Sequence, residues 1–230
     1  MNEFFQNSLF AGVTLSLLAY MVGAALKKKF RLGLLNPLLV SIAITILVLL
    51  VGEIDYEVYN ESAKYLSYLL TPATVCLAIP LYEQWSLLKK NYKAVLCGLL
   101  AGAVTSMATV FALSKICGLS HEEYVTLLPK SITTAIGMGV SEELGGYVTI
   151  TVAVIILTGV LGNMMGELIC KVFHITEPIS KGIAYGASAH AIGTAKAMEL
   201  GEVEGAMSGL AIAVSGILTV ILAPLFAQLM

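Results

Sequence analysis

Long apolar runs with almost no charge are the feature of this sequence that most restricts its fold. Residues 147–170 and 205–229 each contain enough apolar residues to cross a bilayer, for which a helix needs about 20. Only 12% of the residues are charged and 58% are hydrophobic, whereas a soluble domain carries about 25% charged residues. Because a helix satisfies its backbone hydrogen bonds internally in lipid, we predict an all-α integral membrane protein. A net charge of −2 argues against a nucleic-acid binder.

The apolar residues fall into eight segments, which predict a polytopic protein with about 7–8 transmembrane segments. The segments are 8–26, 34–51, 65–85, 94–113, 127–140, 147–170, 182–198 and 205–229. The polar stretches between them are too short for an extramembrane domain, so we expect a single membrane domain over residues 1–230. The basic run at 27–31 follows the first segment, which by the positive-inside rule places the N-terminus outside the cell.

Three of these segments do not look like ordinary spans. Residues 127–140 are too few to cross as a helix that rises about 1.5 Å per residue. We favour a short, re-entrant segment, because the loop with Lys171 and Lys181 then lies inside. If residues 127–140 do cross, that loop lies outside. Residues 182–198 are rich in Gly, Ala and Ser and predict a broken helix, which lipid tolerates only where protein buries it or it lines a cavity.

Residues 65–85 are interrupted by Pro72 and Pro80, and residues 69–75 loosely resemble residues 127–133. Discontinuous helices in corresponding positions of two halves are typical of a transporter site. The sequence therefore leaves an inverted repeat open.

Lys130 is the most conspicuous single residue, because an ionisable side chain inside a membrane usually marks a functional site. The alternative is an interfacial lysine whose ammonium reaches the head groups. Ser131, Thr133 and Thr134 add hydroxyls, and a helix beginning at Pro129 would direct its free N–H groups at the same place. A cation, hydroxyls and a helix N-terminus together suit a small carboxylate.

His190 is the second candidate, since histidine titrates near neutral pH and could donate to a ligand or carry a proton. On a helix it shares a face with Thr194. The alternative is a packed, hydrogen-bonded histidine. The predicted substrate-binding set is Lys130, Ser131, Thr133, Thr134, Thr74, Ser188, His190 and Thr194, and the predicted coupling or gating residues are Lys196, Glu199 and Asn163.

Enzyme motifs such as Gly-x-Ser-x-Gly, His-Glu-x-x-His and the P-loop do not occur, so we predict neither catalysis, nor a metal, nor a cofactor. Coupling to H⁺ or Na⁺ stays open. Gly-x-x-x-Gly patterns predict close helix packing, and some of these faces could serve a homodimer or higher oligomer. The patterns begin at Gly98, Gly162, Gly182 and Gly205.

Several strings resemble one family over essentially the whole chain. They are NPLL at 36–39, TPATVCLAIPLY at 71–82, PKSITT at 129–134 and SAHAIGTAKAMELGEVEGAMSGLA at 188–211. The sequence is similar to the LrgB/CidB family of bacterial membrane proteins. It departs from the family pattern at Ala135, where Pro is expected, and in the order SAHAIG around His190.

The resemblance implies two functions. Family members are described as antiholin-like or holin-like modulators of murein hydrolase activity and autolysis, while a plastidial relative translocates glycolate and glycerate. We favour a secondary transporter of small monocarboxylates (pyruvate, glycolate, glycerate or lactate) working by alternating access, and keep the antiholin-like regulator as the alternative. The resemblance also implies a small LrgA/CidA-type membrane partner and a location in the bacterial cell (inner) membrane.

Overall fold

A computed structural model describes residues 5–30, 37–69, 72, 75–76 and 78–230. The regular elements in these ranges are α-helices and one 3₁₀-helix, Lys64–Leu69. The prediction of an all-α protein is therefore confirmed for the described residues. The chain forms two compact units, residues 1–76 and residues 77–230.

The first unit contains three helices within its described residues: α1 (Ala11–Phe30), α2 (Pro37–Val51) and α3 (Tyr56–Ala63). Glycine permits the close packing of α1. The Gly12 N–H donates to Ser62 Oγ at 2.8 Å, and a Cβ on Gly23 would lie 2.6 Å from the Pro37 carbonyl oxygen. Helix α2 is apolar, but it is only 15 residues long.

The second unit holds the candidate site. Its described helices are α4 (Ala78–Glu83), α5 (Trp85–Cys117), α6 (His121–Leu127), α7 (Thr134–Glu143), α8 (Val148–Val172), α9 (Pro178–Leu200) and α10 (Glu202–Ala227). Among the described helices, α5, α8 and α10 are long and apolar enough to cross a membrane. Membrane-length helices are thereby confirmed, while the count of 7–8 segments and the inverted repeat stay predictions.

Helix α5 begins earlier than the sequence indicated. The segment was expected at 94–113, with Lys89, Lys90 and Lys93 in the preceding loop, but these lysines lie on the first turns of α5. Lysine is a good helix former, so its charge does not end a helix whose polar end can reach water. The helix ends at Gly118, whose φ of 68° gives a left-handed cap that other residues rarely adopt.

Two clusters of buried side chains hold the second unit together, one at each end of α8. The cluster near Val148, at what we term the 148 end, includes Met107, Tyr124 and Val140. The cluster near Val172, at the 172 end, is formed by Val95, Leu99 and Ala211, all at most 1% exposed. Large apolar side chains remain exposed on the outside of α5, α8 and α10, as expected of helices that face lipid.

The Gly-x-x-x-Gly patterns have different environments. Gly162 and Gly166 of α8 pack against α9, and Gly182 and Gly186 of α9 pack against α10. A side chain on any of these four glycines would collide with the neighbouring helix. A Cβ on Gly98 or Gly102 of α5 would meet no atom of the described residues within 4 Å. The Gly-x-x-x-Gly patterns of α8 and α9 therefore permit close helix packing inside the unit, whereas the pattern of α5 does not pack against a described helix.

Candidate functional site

Helix α9 is broken at His190. This residue has φ 42° and ψ −135°, a backbone conformation that non-glycine residues rarely adopt, whereas the residues on either side are helical. The break separates a first arm, residues 178–189, from a second arm, residues 191–200. A broken helix was predicted for residues 182–198, and the structure assigns the break to a single residue.

The two arms of α9 lie side by side. A Cβ on Gly193 in the second arm would collide with the Tyr185 carbonyl oxygen in the first. Leu200, at the end of the second arm, lines the same cavity as Lys181, at the start of the first. The chain therefore enters and leaves at the 172 end, and we term residues 178–200 hairpin 2.

Helices α6 and α7 form a similar hairpin from the opposite end. Near the start of α6, the Tyr147 hydroxyl donates to Glu122 Oε2 at 3.1 Å, and this bond raises the pKa of the Tyr147 phenol. Near the end of α7, Thr151 Oγ1 donates to Ser141 Oγ at 2.7 Å. Because Tyr147 and Thr151 belong to the 148 end, residues 121–143 begin and finish there. We term them hairpin 1.

Both hairpins contact the middle of α8 at Ile155. In hairpin 1, a Cβ on Gly137 would collide with the Ile155 side chain. In hairpin 2, His190 Nε2 donates to the Ile155 carbonyl oxygen at 3.0 Å. Ile155 lies about 11 Å along the helix axis from Val148, at about 1.5 Å per residue. Both hairpins therefore reach well into the unit and stop there.

His190 is fixed on several sides. Its side chain is only 4% exposed, and its ring lies against Gly159, where a Cβ would be 2.7 Å from Cε1 and Nε2. The Thr194 hydroxyl donates to the His190 carbonyl oxygen at 3.1 Å. The histidine therefore positions the tip.

Thr194 joins hairpin 2 to α10. Its Oγ1 lies 2.7 Å from Ser208 Oγ, and both residues are at most 1% exposed. Ser188 was grouped with these residues by sequence, but it is exposed and its hydroxyl donates to the Ala184 carbonyl oxygen at 2.6 Å. The structure thus keeps Thr194 beside His190 and turns Ser188 away.

Lys130 and Ser131 lie at the tip of hairpin 1. Lys130 Nζ donates to Ser131 Oγ at 3.1 Å, and Ser131 Oγ lies 3.3 Å from Ser106 Oγ of α5. The helix expected to begin at Pro129 instead begins at Thr134, with Thr133 as its N-cap. The physical reason is that residues 128–133 form the turn between α6 and α7, so the free N–H groups of α7 follow Thr133 and not Pro129.

A small cavity with several hydroxyl groups in its lining lies between the two hairpins. Its lining includes Ser131 of hairpin 1, Ala187 of hairpin 2, and Ser106, Ser215 and Thr219 on α5 and α10. The Ser215 hydroxyl is buried and finds no hydrogen-bond partner among the described residues. The cavity has a volume of about 10 Å³, room for about one water molecule.

The predicted coupling residues lie on the second arm and on α8. Lys196 Nζ is 2.7 Å from Glu167 Oε1 and 3.2 Å from Glu199 Oε2. Asn163 Nδ2 donates to the Ile192 carbonyl oxygen at 2.8 Å. These contacts attach the second arm to α8, toward the 172 end.

The structure distributes the predicted residues over the two hairpins and α8. Lys130, Ser131 and Thr133 lie at the tip of hairpin 1, and Thr134 begins α7. His190 and Thr194 lie at the tip of hairpin 2, Ser188 lies on the first arm, Lys196 and Glu199 lie on the second arm, and Asn163 lies on α8. Thr74 lies outside the described residues. The hydroxyls of Ser106, Ser208 and Ser215 were not predicted from sequence, because a single serine in an apolar run has no pattern of its own. In the described part of the chain, no group of three or more His, Cys, Asp or Glu side chains could hold a metal ion.

Comparison with known proteins agrees with the resemblance. The sequence model of the LrgB-like family matches residues 16–229. The chain is 39% identical over 216 residues to the antiholin-like protein LrgB of Bacillus cereus strain B4264, covering 94% of each chain. The antiholin-like protein LrgB of Bacillus anthracis strain A0248 shows the same identity and coverage. No solved structure matches.

Proposed function

The chain belongs to the LrgB-like family, and from this premise we propose that it is an antiholin-like regulator of murein hydrolase activity and autolysis. The observation that supports this proposal is the identity of 39% over 94% of the chain with proteins named antiholin-like. The comparisons favour this function over the transporter that the sequence analysis preferred.

As an antiholin-like regulator, the protein would act in the bacterial inner membrane with several spans and an external N-terminus. Its partners would be the lipid bilayer, a smaller LrgA/CidA-type membrane protein and further copies of itself. The open face of α5 at Gly98 and Gly102 is compatible with such helix–helix contacts, because small residues let helices approach closely in lipid.

Deletion of the gene from its host tests the regulatory function. We expect higher murein hydrolase activity in cell-wall extracts and faster detergent-induced autolysis, with both reversed by the wild-type chain. The control is complementation with a chain that ends at residue 76 and therefore lacks the second unit. Unchanged hydrolase activity and autolysis in the deletion strain would contradict the proposal.

A second candidate function is secondary transport of a small monocarboxylate, and the opposed hairpins favour it. Broken helices at membrane depth are typical of transporters that hold substrate between moving elements. In this proposal Lys130 neutralises the carboxylate, while the hydroxyls of Ser131, Thr133, Thr134 and Thr194 donate to it. Thr74 and Ser188 belong to the proposed set from sequence alone. His190 would hold the tip or carry a proton, and Lys196, Glu199 and Asn163 would gate the second arm.

The cavity between the hairpins sets a condition on this mechanism. At about 10 Å³ it is too small for a carboxylate, so one hairpin must move before substrate can enter. The proposed motion is alternating access, in which the hairpins open the cavity first to one side and then to the other. Each hairpin begins and ends at its own end of α8, which allows either to move alone.

Uptake into proteoliposomes tests the transporter. Pyruvate, lactate, glycolate and glycerate are offered with and without a pH or Na⁺ gradient, and the proposal expects saturable uptake of at least one acid. Lys130→Ala should abolish that uptake, whereas Lys115→Ala, on the last turn of α5, should preserve it. Transport by Lys130→Ala at the wild-type rate would contradict the role of Lys130. Release of large dyes without saturable uptake would indicate a pore.

A further inference from the structure

A large cavity lies at the 172 end of the second unit and takes no part in the functions proposed above. It has a volume of about 460 Å³, within the range of about 300–1,000 Å³ that is typical of small-molecule sites. It opens between the last turns of α8, the connection to α9 and the outer ends of both arms of hairpin 2. Its lining includes Cys170, Lys171, His174, Lys181, Tyr185 and Leu200.

The charges around this cavity favour an anion. Lys171, on the last turn of α8, and Lys181, on the first turn of α9, both line it. Glu167 also lines it, but its carboxylate is 2.7 Å from Lys196 Nζ, which is also 3.2 Å from Glu199 Oε2. The Lys196 charge offsets one of these two carboxylates, so with Lys171 and Lys181 the groups around the cavity keep one net positive charge.

The wall of this cavity contains a buried hydroxyl that has no partner among the described residues. Tyr185 is 3% exposed, and its hydroxyl has no hydrogen-bond partner among the described residues. Its ring lies against Gly166, where a Cβ would collide with it, so the ring is held in place. Buried hydroxyls in native proteins are nearly always paired, and an acceptor oxygen in the cavity would pair this one.

We propose that this cavity binds the head group of an anionic phospholipid. The phosphate would lie between Lys171 and Lys181 and accept a hydrogen bond from Tyr185. The glycerol region would then contact Ile175 and Leu200, two apolar side chains of the lining. The position supports a lipid over a free anion, because the end of a membrane-length helix is where phospholipid head groups lie. This proposal does not depend on the function of the hairpins.

Native mass spectrometry of the full-length protein in detergent, titrated with phosphatidylglycerol or phosphatidylcholine, tests the assignment. We expect tighter binding of phosphatidylglycerol. Lys171→Gln with Lys181→Gln should weaken it about 30-fold, since each lysine near an anionic head group contributes about fivefold. Tyr185→Phe, which keeps the ring, should weaken it about tenfold.

The matched control removes two lysines outside the cavity. Lys89→Gln with Lys90→Gln changes the net charge equally and should leave the affinity within about threefold of wild type. Equal affinity for both lipids, or an equal loss in the control, would overturn the proposal. Lysine-dependent binding of inorganic phosphate without a preference for phosphatidylglycerol would also overturn it, by assigning the cavity to a soluble anion. If the double variant does not fold, the affinity of Tyr185→Phe for phosphatidylglycerol tests the proposal by itself, and an affinity equal to that of the wild type would overturn it.

Discussion

Replacing Gly159 with alanine should disturb the tip of hairpin 2. The new Cβ would lie 2.7 Å from the His190 ring and 2.8 Å from Ile192 Cδ1, closer than non-bonded carbon atoms approach. The His190 ring cannot turn away without cost, because it is buried and donates to the Ile155 carbonyl oxygen. The tip must therefore shift away from α8.

Three contributions determine how much Gly159→Ala changes the free energy of unfolding. Overpacking in a close-packed interior costs about 1–3 kcal/mol, and weakening the His190 hydrogen bond costs about 1 kcal/mol. Alanine recovers about 1 kcal/mol as a better helix former than glycine. We expect Gly159→Ala to lower the free energy of unfolding by about 1–3 kcal/mol.

The assay is SDS-induced unfolding followed by far-UV circular dichroism. The matched control is Gly98→Ala on α5, whose Cβ meets nothing within 4 Å and which should gain up to about 1 kcal/mol from helix propensity. If Gly159→Ala is as stable as Gly98→Ala, the His190 ring does not lie against Gly159 and the described tip is wrong.

Two further predictions concern contacts of the second arm. Thr194→Val removes the hydrogen bond to Ser208 and should cost about 1 kcal/mol in the same assay, whereas Thr109→Val, on the exposed side of α5, should cost less than about 0.5 kcal/mol. In a double-mutant cycle of Lys196→Met and Glu167→Gln, we expect a coupling of about 0.5–1 kcal/mol, because both side chains are partly exposed. If Thr109→Val is as unstable as Thr194→Val, the hydrogen bond between Thr194 and Ser208 does not stabilise the protein. If the cycle shows no coupling, the ion pair between Lys196 and Glu167 is refuted.

Much of the fold could be predicted because lipid restricts the chain so strongly. The long helices α8 and α10 follow directly from uninterrupted apolar runs. The break in α9 was predictable from its small residues and hydroxyls. The location of the break at His190 was not predictable from sequence. Non-glycine residues rarely adopt a positive φ, and tertiary contacts hold His190 in this conformation.

The site was harder to predict than the fold. Lys130 and His190 attract attention as ionisable groups in apolar sequence, and the structure places each at the tip of a hairpin. Their partners are a backbone carbonyl and single serines, which no spacing reveals. Ser188 is two residues from His190 in sequence, yet its side chain is exposed and its hydroxyl donates to the Ala184 carbonyl oxygen, an orientation that sequence proximity does not reveal.

The most direct test of the account is the topology of hairpin 2. In a chain without its native cysteines, Thr176→Cys and Glu202→Cys introduce exposed thiols before and after α9. A membrane-impermeant maleimide is then applied to right-side-out and to inverted vesicles. We expect both thiols to react in the same vesicle preparation, because both arms of hairpin 2 end at the 172 end. Labelling of the two thiols from opposite sides of the membrane would show that α9 crosses it, and would contradict the hairpin.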